Sequence, residues 1–150
     1  MKLEHVFTYV ATVKKPVTVG VGPYGYRDVV EIDTGEVTGE RISGKLTQGA
    51  NWVLRGEDGI ARNDIRYTLE TDDGAAIYVQ MQGIAEASEA AAAAFAGTGP
   101  DTSFEDVKIR VSLTMETGDP RYEWVNREVF VGEVRALAKP GVECKVYRLA

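Results

Sequence analysis

The fold is decided by the stretch Asp64-Ile65-Arg66-Tyr67-Thr68-Leu69-Glu70-Thr71-Asp72-Asp73-Gly74-Ala75-Ala76-Ile77-Tyr78-Val79-Gln80-Met81-Gln82. It predicts a β-hairpin whose three-residue loop, 72–74, ends on Gly74, where a positive φ favours glycine. With this loop the apolar residues oppose each other on one face, as the pairs Ile65–Met81, Tyr67–Val79 and Leu69–Ile77. A two-residue loop at 73–74 would mix the two faces, because a one-residue slip turns every side chain to the other side. The three-residue loop is therefore predicted.

Length and composition indicate one globular domain spanning residues 1–150. Charged residues make up 27% of the chain and hydrophobic residues 44%, which are ordinary values for a folded protein. The formal net charge of −6 argues against nucleic acid and anionic membranes as partners, since both are polyanions. No apolar segment has the length of a signal peptide or a membrane span. We therefore expect a cytoplasmic protein.

The rest of the chain alternates short strand-like runs with turn residues. Residues 3–13 predict a strand, and Val107, Ile109, Val111, Leu113 and Met115 share one face of a second strand over 104–116. The Ala-rich segment 86–96 interrupts this pattern and predicts either a short helix or an insert. We count about nine or ten strands, too many for an open sheet with covered edges. A closed antiparallel barrel with paired terminal strands is therefore predicted.

One glycine-rich run invites a different interpretation. Gly20-Val21-Gly22-Pro23-Tyr24-Gly25 has the letters of a dinucleotide-binding fingerprint. That fingerprint needs a helix N-terminus directly behind it to hold a pyrophosphate, whereas residues 26–32 are strand-like. A Gly/Pro surface loop is predicted instead.

Several motifs together resemble a known family. They are Gly25-Tyr26-Arg27, Gly49-Ala50-Asn51-Trp52, the hairpin itself, Glu116-Thr117-Gly118-Asp119-Pro120-Arg121-Tyr122-Glu123-Trp124-Val125-Asn126, and Val129-Phe130-Val131-Gly132. The chain resembles a widespread bacterial and fungal family of lipocalin-like β-barrels whose function is unknown. The resemblance implies a closed antiparallel barrel with an internal cavity, commonly in homo-oligomers, and it implies no agreed reaction. This sequence departs from the family at Asn51, where relatives usually have an acid, and in the length of segment 86–96.

The sequence offers little for cofactor or metal chemistry. One histidine, His5, and one cysteine, Cys144, cannot supply a transition-metal site of the usual kind, and no phosphate-loop or nucleophile-elbow motif is present. The strand position of His5 suits a core histidine, and that of Cys144 suits an inert core thiol. We therefore predict no cofactor and no metal.

The polar faces of the two clearest strands supply candidate site residues. If these faces line the barrel interior, Arg66 and Arg110 would hold a carboxylate or enolate oxygen and Glu116 would act as general acid or base. A small-molecule ligand would also contact amide groups and flat or polar side chains, namely Asn51, Trp52, Tyr78, Gln80, Trp124 and Asn126. If instead the apolar faces turn inward and pack, the same polar residues lie on the solvated outside. Periodicity leaves both arrangements open.

The first arrangement favours a cofactor-free isomerase, lyase or hydratase that moves a proton on a small aromatic or polyketide-like carbonyl compound. Two other hypotheses remain open. One is a barrel that only carries a hydrophobic small molecule. The other is an oligomeric protein whose outer faces serve assembly.

Overall fold

The computed structural model describes residues 1–150. Its nine strands, one α-helix and one short 3₁₀ helix follow the chain in this order: β1 Leu3–Val13, β2 Val17–Gly22, β3 Gly25–Thr38, β4 Gly44–Arg55, β5 Ile60–Thr71, β6 Ala76–Glu86, α1 Glu89–Phe95, β7 Ile109–Glu116, the 3₁₀ helix Glu123–Arg127, β8 Phe130–Leu137 and β9 Gly141–Leu149.

Eight of the strands form a closed antiparallel barrel. Strands β3 to β9 each pair with the next along the chain, β9 pairs with β1, and β1 closes the ring by pairing with the second half of β3. The first half of β3 pairs with β2, which lies outside the ring as a ninth strand. The predicted closed barrel and the predicted pairing of the terminal strands are confirmed.

The hairpin of β5 and β6 has the predicted register. Ile65 lies opposite Met81, and Leu69 lies opposite Ile77. The loop ends on Gly74 with φ +91°, the left-handed conformation that glycine adopts most readily. Thr71 closes the loop, because its N–H donates to the carbonyl of Ala75 over 2.8 Å.

The Ala-rich segment forms a helix, which is shorter than the predicted range 86–96. Ser88 caps its first turn, and its hydroxyl accepts the N–H of Ala91 at 3.1 Å. Ala91 and Ala94 are buried against the body of the protein, whereas Phe95 remains 43% exposed. The small apolar face of the helix, rather than its aromatic end, therefore anchors it.

The glycine-rich run belongs to a β-hairpin. Gly22 and Gly25 face each other at the end of β2 and β3, and no helix follows them. Gly25 has φ +133°, and a Cβ there would lie 2.8 Å from the carbonyl oxygen of Arg55. The run is a turn between two strands, so the expected surface loop is smaller than predicted and β2 is an additional strand.

A packed apolar core fills the barrel. It comprises 25 buried residues, and the largest of those fully buried are Phe7, Phe130, Ile42, Leu69, Ile77 and Met81. Cys144 is also fully buried, and burial raises the pKa of its thiol to about 12. His5 was expected in this core, but it is exposed, and its Nε2 lies 2.8 Å from the hydroxyl of Thr8. A bulge between His5 and Phe7 turns the histidine outward.

Candidate functional site

The polar faces of β5, β6 and β7 lie on the outside of the barrel. Arg66, Arg110 and Glu116 are exposed, while their apolar neighbours Tyr67, Val111 and Met115 are buried. The arrangement with these polar residues in the interior is therefore wrong. The physical reason is that strands alternate, so burying the aliphatic faces forces the intervening charged residues into solvent.

The three predicted catalytic residues are also too far apart to share one small ligand. Arg110 and Glu116 are six residues apart on the same strand, which at about 3.3 Å per residue separates them by roughly 20 Å. Arg66 on β5 lies opposite Gln80 on β6, which in turn lies opposite Thr114 on β7. Thr114 is between Arg110 and Glu116 along that strand. Its Nε is 4.0 Å from Asp64 Oδ1, so its side chain is directed away from Glu116. The prediction that these residues line one small cavity is wrong.

Four predicted residues do come together in one open groove on this outer face. The groove has a volume of about 690 Å³. We call it the Glu116 groove; its polar lining comprises Thr68, Tyr78, Gln80, Thr114, Glu116, Thr117 and Asn126. Of these, Tyr78, Gln80, Glu116 and Asn126 are predicted site residues.

A row of three polar side chains crosses the groove. Tyr78 on β6 lies directly opposite Thr68 on β5 and directly opposite Glu116 on β7. Opposed side chains in an antiparallel sheet have Cβ atoms about 5 Å apart, so the Tyr78 hydroxyl and the Glu116 carboxylate can reach one ligand. Every ion pair of the structure uses a carboxylate other than Glu116. Its oxygens are thus available to a ligand.

Asn126 forms the wall of the groove. Its Oδ1 accepts the N–H of Thr117 at 2.9 Å, and its Nδ2 donates to the carbonyl of Thr117 at 3.0 Å. The hydroxyl of Thr117 in turn donates to the carbonyl of Ala76 at 2.8 Å. These bonds fix the loop after β7 to the start of β6, so Asn126 positions the groove rather than offering free groups to a ligand.

A second set of contacts, which the sequence analysis missed, holds this loop to the β5–β6 hairpin. The hydroxyl of Tyr122 donates to the carboxylate of Asp73, at 2.9 Å from both oxygens. Arg121 binds Asp119 at 2.8 Å and lies 3.3 Å from Asp73. Hydrogen bonds from Arg121 lower the pKa of Asp119 to about 2. The signal was present, since all four residues belong to the motifs that mark the resemblance.

The other predicted binding residues lie elsewhere. Asn51 bonds within the barrel wall, where its Nδ2 donates to Asn63 Oδ1 at 2.8 Å and its Oδ1 accepts the N–H of Asp64 at 3.2 Å. The ring of Trp124 lies 3.7 Å below the guanidinium of Arg41 and packs toward the core. Trp52 and Arg110 line another groove, about 580 Å³ in volume, on the same outer face.

Two kinds of feature are absent from the structure. None of the protein's helices combines the length and the apolar character needed to cross a membrane. No three residues among His, Cys, Asp and Glu form a group that could hold a metal ion.

Comparison with known proteins identifies relatives along nearly the whole chain. A family model described as "Protein of unknown function (DUF3237)" matches residues 1–149. A UPF0311 protein of Clostridium acetobutylicum is 32% identical over 145 residues, covering 87% of this chain and 84% of that protein.

Solved structures show the same fold. The crystal structure of a conserved protein of unknown function from Rhodopseudomonas palustris matches with a TM-score of 0.86 and 29% identity, covering 100% of this chain and 99% of that one. An enzyme from Penicillium herquei matches with a TM-score of 0.74 and 19% identity, covering 99% of this chain and 94% of that one. At that identity the likeness shows the fold alone.

Proposed function

Because the chain belongs to the DUF3237 family of proteins of unknown function, we propose a function from the geometry of its own surface. The protein binds a small carbonyl compound, of aromatic or polyketide-like character, in the Glu116 groove. It catalyses proton transfer on this compound without a cofactor, as an isomerase, lyase or hydratase does.

The observation that supports this proposal is the row formed by Thr68, Tyr78 and Glu116. A carboxylate that has no cation partner can act as a base, and a neighbouring hydroxyl can donate to the oxygen on which charge develops. The groove brings both groups to the same ligand-sized space. Among the predicted site residues, Tyr78 is the neutral donor that lies directly opposite Glu116 on the neighbouring strand.

The chemistry balances with these two residues alone. Glu116 takes a proton from the carbon next to the carbonyl, and the electron pair of that C–H bond forms the C=C bond of an enolate. The Tyr78 hydroxyl donates a hydrogen bond to the enolate oxygen. Glu116 then returns the proton, to the same carbon or to a conjugated one, which regenerates the carboxylate and completes an isomerisation.

The Penicillium herquei enzyme supports this proposal only in a general way. It is described as an enzyme and has the same fold, so a barrel of this kind can carry catalytic residues. The assignment of Glu116 and Tyr78 rests on the structure of this chain.

Exchange of carbon-bound protons in D₂O tests the proposal directly. The ketone 2-tetralone has acidic protons next to its carbonyl, and ¹H NMR follows their replacement by deuterium. We expect the protein to accelerate the exchange and the variant Glu116→Gln to lose the acceleration while still binding the ketone. Glu36→Gln is the matched control, because Glu36 is an exposed glutamate on β3, outside the groove. Equal exchange by Glu116→Gln and the unchanged protein would overturn the proposal.

A carrier function predicts a different outcome of the same experiment. If the protein is a carrier, the unchanged protein and the Glu116→Gln variant both bind the ketone, and neither accelerates the exchange. Because apolar side chains fill the interior, a carrier would also have to hold its ligand on the outer face.

We also propose that the protein is a cytoplasmic homo-oligomer that assembles through β2. Val17, Val19 and Val21 on this strand outside the barrel are 66%, 67% and 87% exposed. Apolar side chains so exposed on an edge strand favour contact with another chain. Val21→Glu should lower the oligomer mass measured by light scattering, whereas an unchanged mass would place assembly elsewhere.

The free thiol of Cys144 supports the cytoplasmic location, because a free thiol suits a reducing compartment.

A further inference from the structure

A second groove lies on the same outer face, at the opposite end of β5, β6 and β7 from Glu116. Its volume is about 580 Å³. We call it the arginine groove and define it by the residues Arg27, Trp52, Arg62, Asp64, Ile84 and Arg110. It is independent of the function proposed above, because Arg110 and Glu116 are separated by roughly 20 Å along β7.

Two of the three arginines in the arginine groove have no carboxylate partner. Arg62 is neutralised by Asp58, at 2.8 Å. Arg27 donates only to the carbonyl of Trp52, at 3.1 Å, and Arg110 only to the carbonyl of its own neighbour Ile109, at 3.1 Å. In a chain whose net charge is −6, two guanidinium groups left free in one groove form a local site of opposite sign.

The nearby carboxylates do not neutralise Arg110. Asp64 also lines the groove, but its Oδ1 is buried and faces Arg66 Nε, at 4.0 Å. Glu133 lies opposite Arg110 on β8, and its Oε1 accepts the hydroxyl of Tyr147 at 3.2 Å. No ion pair joins either carboxylate to Arg110. Its guanidinium can therefore form a forked pair with a planar anion from outside.

Two large apolar side chains of the groove are partly exposed. Ile84 is 48% exposed and lies directly opposite Arg110 on the neighbouring strand. Trp52 is 39% exposed on β4, two strands from Ile84. Ile84 and Trp52 are two strand spacings of about 4.8 Å apart across the sheet, and Arg62 on the intervening strand β5 lies directly opposite Ile84. A flat two-ring aromatic system is long enough to contact both apolar side chains. An indole and a branched aliphatic side chain are suitable contacts for such rings.

We propose that the arginine groove is a separate binding site for a flat aromatic carboxylate, whose rings lie against Ile84 and Trp52 and whose carboxylate pairs with Arg110. The free guanidinium supplies the charge recognition, and the exposed side chains of Ile84 and Trp52 supply the ring contact. The Asp64 carboxylate disfavours an anionic group at the centre of the groove, so the anion is held at the Arg110 end.

The test compares 2-naphthoate with its neutral counterpart 2-naphthamide by NMR titration of the full-length protein. We expect 2-naphthoate to bind about tenfold more tightly at low salt, as one charge-assisted hydrogen-bonded pair at a partly exposed site predicts. Arg110→Gln should abolish this preference and leave the affinity for 2-naphthamide unchanged. Trp52→Ala should weaken both ligands equally. The matched control is Arg127→Gln, an exposed arginine on the 3₁₀ helix, outside the groove.

Two results would overturn the proposal. One is equal binding of naphthoate and naphthamide to the unchanged protein. The other is a preference for naphthoate that survives Arg110→Gln. Light scattering of the same variants tells a ligand site from an interface between two copies of the chain. A change in oligomer mass with no change in ligand preference would show that the groove receives a second copy.

Discussion

Tyr78 on β6 lies directly opposite Glu116 on β7, so that a phenol and a carboxylate stand side by side on the outer face of the barrel. Neither side chain forms a hydrogen bond or an ion pair within the protein. By contrast, Asp73 and Asp119 in the neighbouring loops bind Tyr122 and Arg121. The pair is therefore placed to interact with a ligand in the Glu116 groove.

The first prediction concerns the hydroxyl of Tyr78. Tyr78→Phe should slow the exchange of the 2-tetralone protons by about fivefold, because one neutral hydrogen bond contributes about 1 kcal/mol. The fold should be unaffected, since the hydroxyl has no partner in the protein. Tyr24→Phe is the control, because Tyr24 is 80% exposed in the β2–β3 turn. Equal rates for Tyr78→Phe and the control would remove Tyr78 from the mechanism.

The second prediction concerns the acid stability of the loop that frames the groove. The pKa of Asp119 is lowered from 3.8 to about 2 in the folded protein, chiefly by hydrogen bonds from Arg121. The folded state therefore binds fewer protons than the unfolded state, so this stabilisation is complete above pH 3.8 and is lost as the pH falls toward 2. In urea unfolding between pH 5 and pH 2, we expect Asp119→Asn to reduce the dependence of stability on pH.

Asp33→Asn is the control for this experiment, because Asp33 is exposed and forms no ion pair. A pH dependence that is identical for Asp119→Asn and Asp33→Asn would contradict the assignment.

The third prediction concerns the packed interior. Leu69 is fully buried in the core, and Leu69→Ala should lower the free energy of unfolding by about 2–5 kcal/mol, since it removes buried methyl groups and leaves a cavity. Glu70→Ala, at the next position of the same strand and facing solvent, should change it by less than about 0.5 kcal/mol. Urea denaturation measures both. Similar values for the two variants would mean that the interior is not the main source of stability.

The fourth prediction concerns a buried hydroxyl. Tyr67 is 2% exposed, and its Oη has no hydrogen-bond partner. Tyr67→Phe keeps the edge-on contact of its ring with Tyr9 and removes the unpaired group. We expect the free energy of unfolding to stay equal or to rise by about 1 kcal/mol. A loss of more than about 1 kcal/mol would show that the hydroxyl has a partner, such as a bound water molecule.

The sequence predicts the barrel well because its strongest signals are local. Alternating apolar residues and the single glycine at position 74 determine the register of the central hairpin, and the structure has that register. The strand β1 has the predicted bounds, Leu3–Val13. Local signals failed at His5. Periodicity places this residue in the core, but a β-bulge between His5 and Phe7 turns its side chain outward.

The candidate site was harder to predict, since periodicity divides a strand into two faces without saying which one is inside. The structure brings Tyr78, Gln80, Glu116 and Asn126 to one groove on the outer surface, whereas shared strand faces grouped Tyr78 and Gln80 with Arg66. Arg110 was grouped with Glu116 because they share a face, although six residues of extended strand separate them. The contacts among Asp73, Asp119, Arg121 and Tyr122 join two loops that are distant in sequence, so the motifs that contain these residues do not show that the residues contact one another.

The proposed function requires that ligands bind on the outer face, in the Glu116 groove. Methyl NMR of methyl-labelled protein titrated with 2-tetralone shows which face the ligand contacts. We expect shifts for the outward-facing methyl groups of Thr68, Thr114 and Thr117 and no shifts for the inward-facing methyl groups of Leu69 and Val79. Shifts confined to Leu69 and Val79 would show that the ligand lies inside the barrel and not in the Glu116 groove.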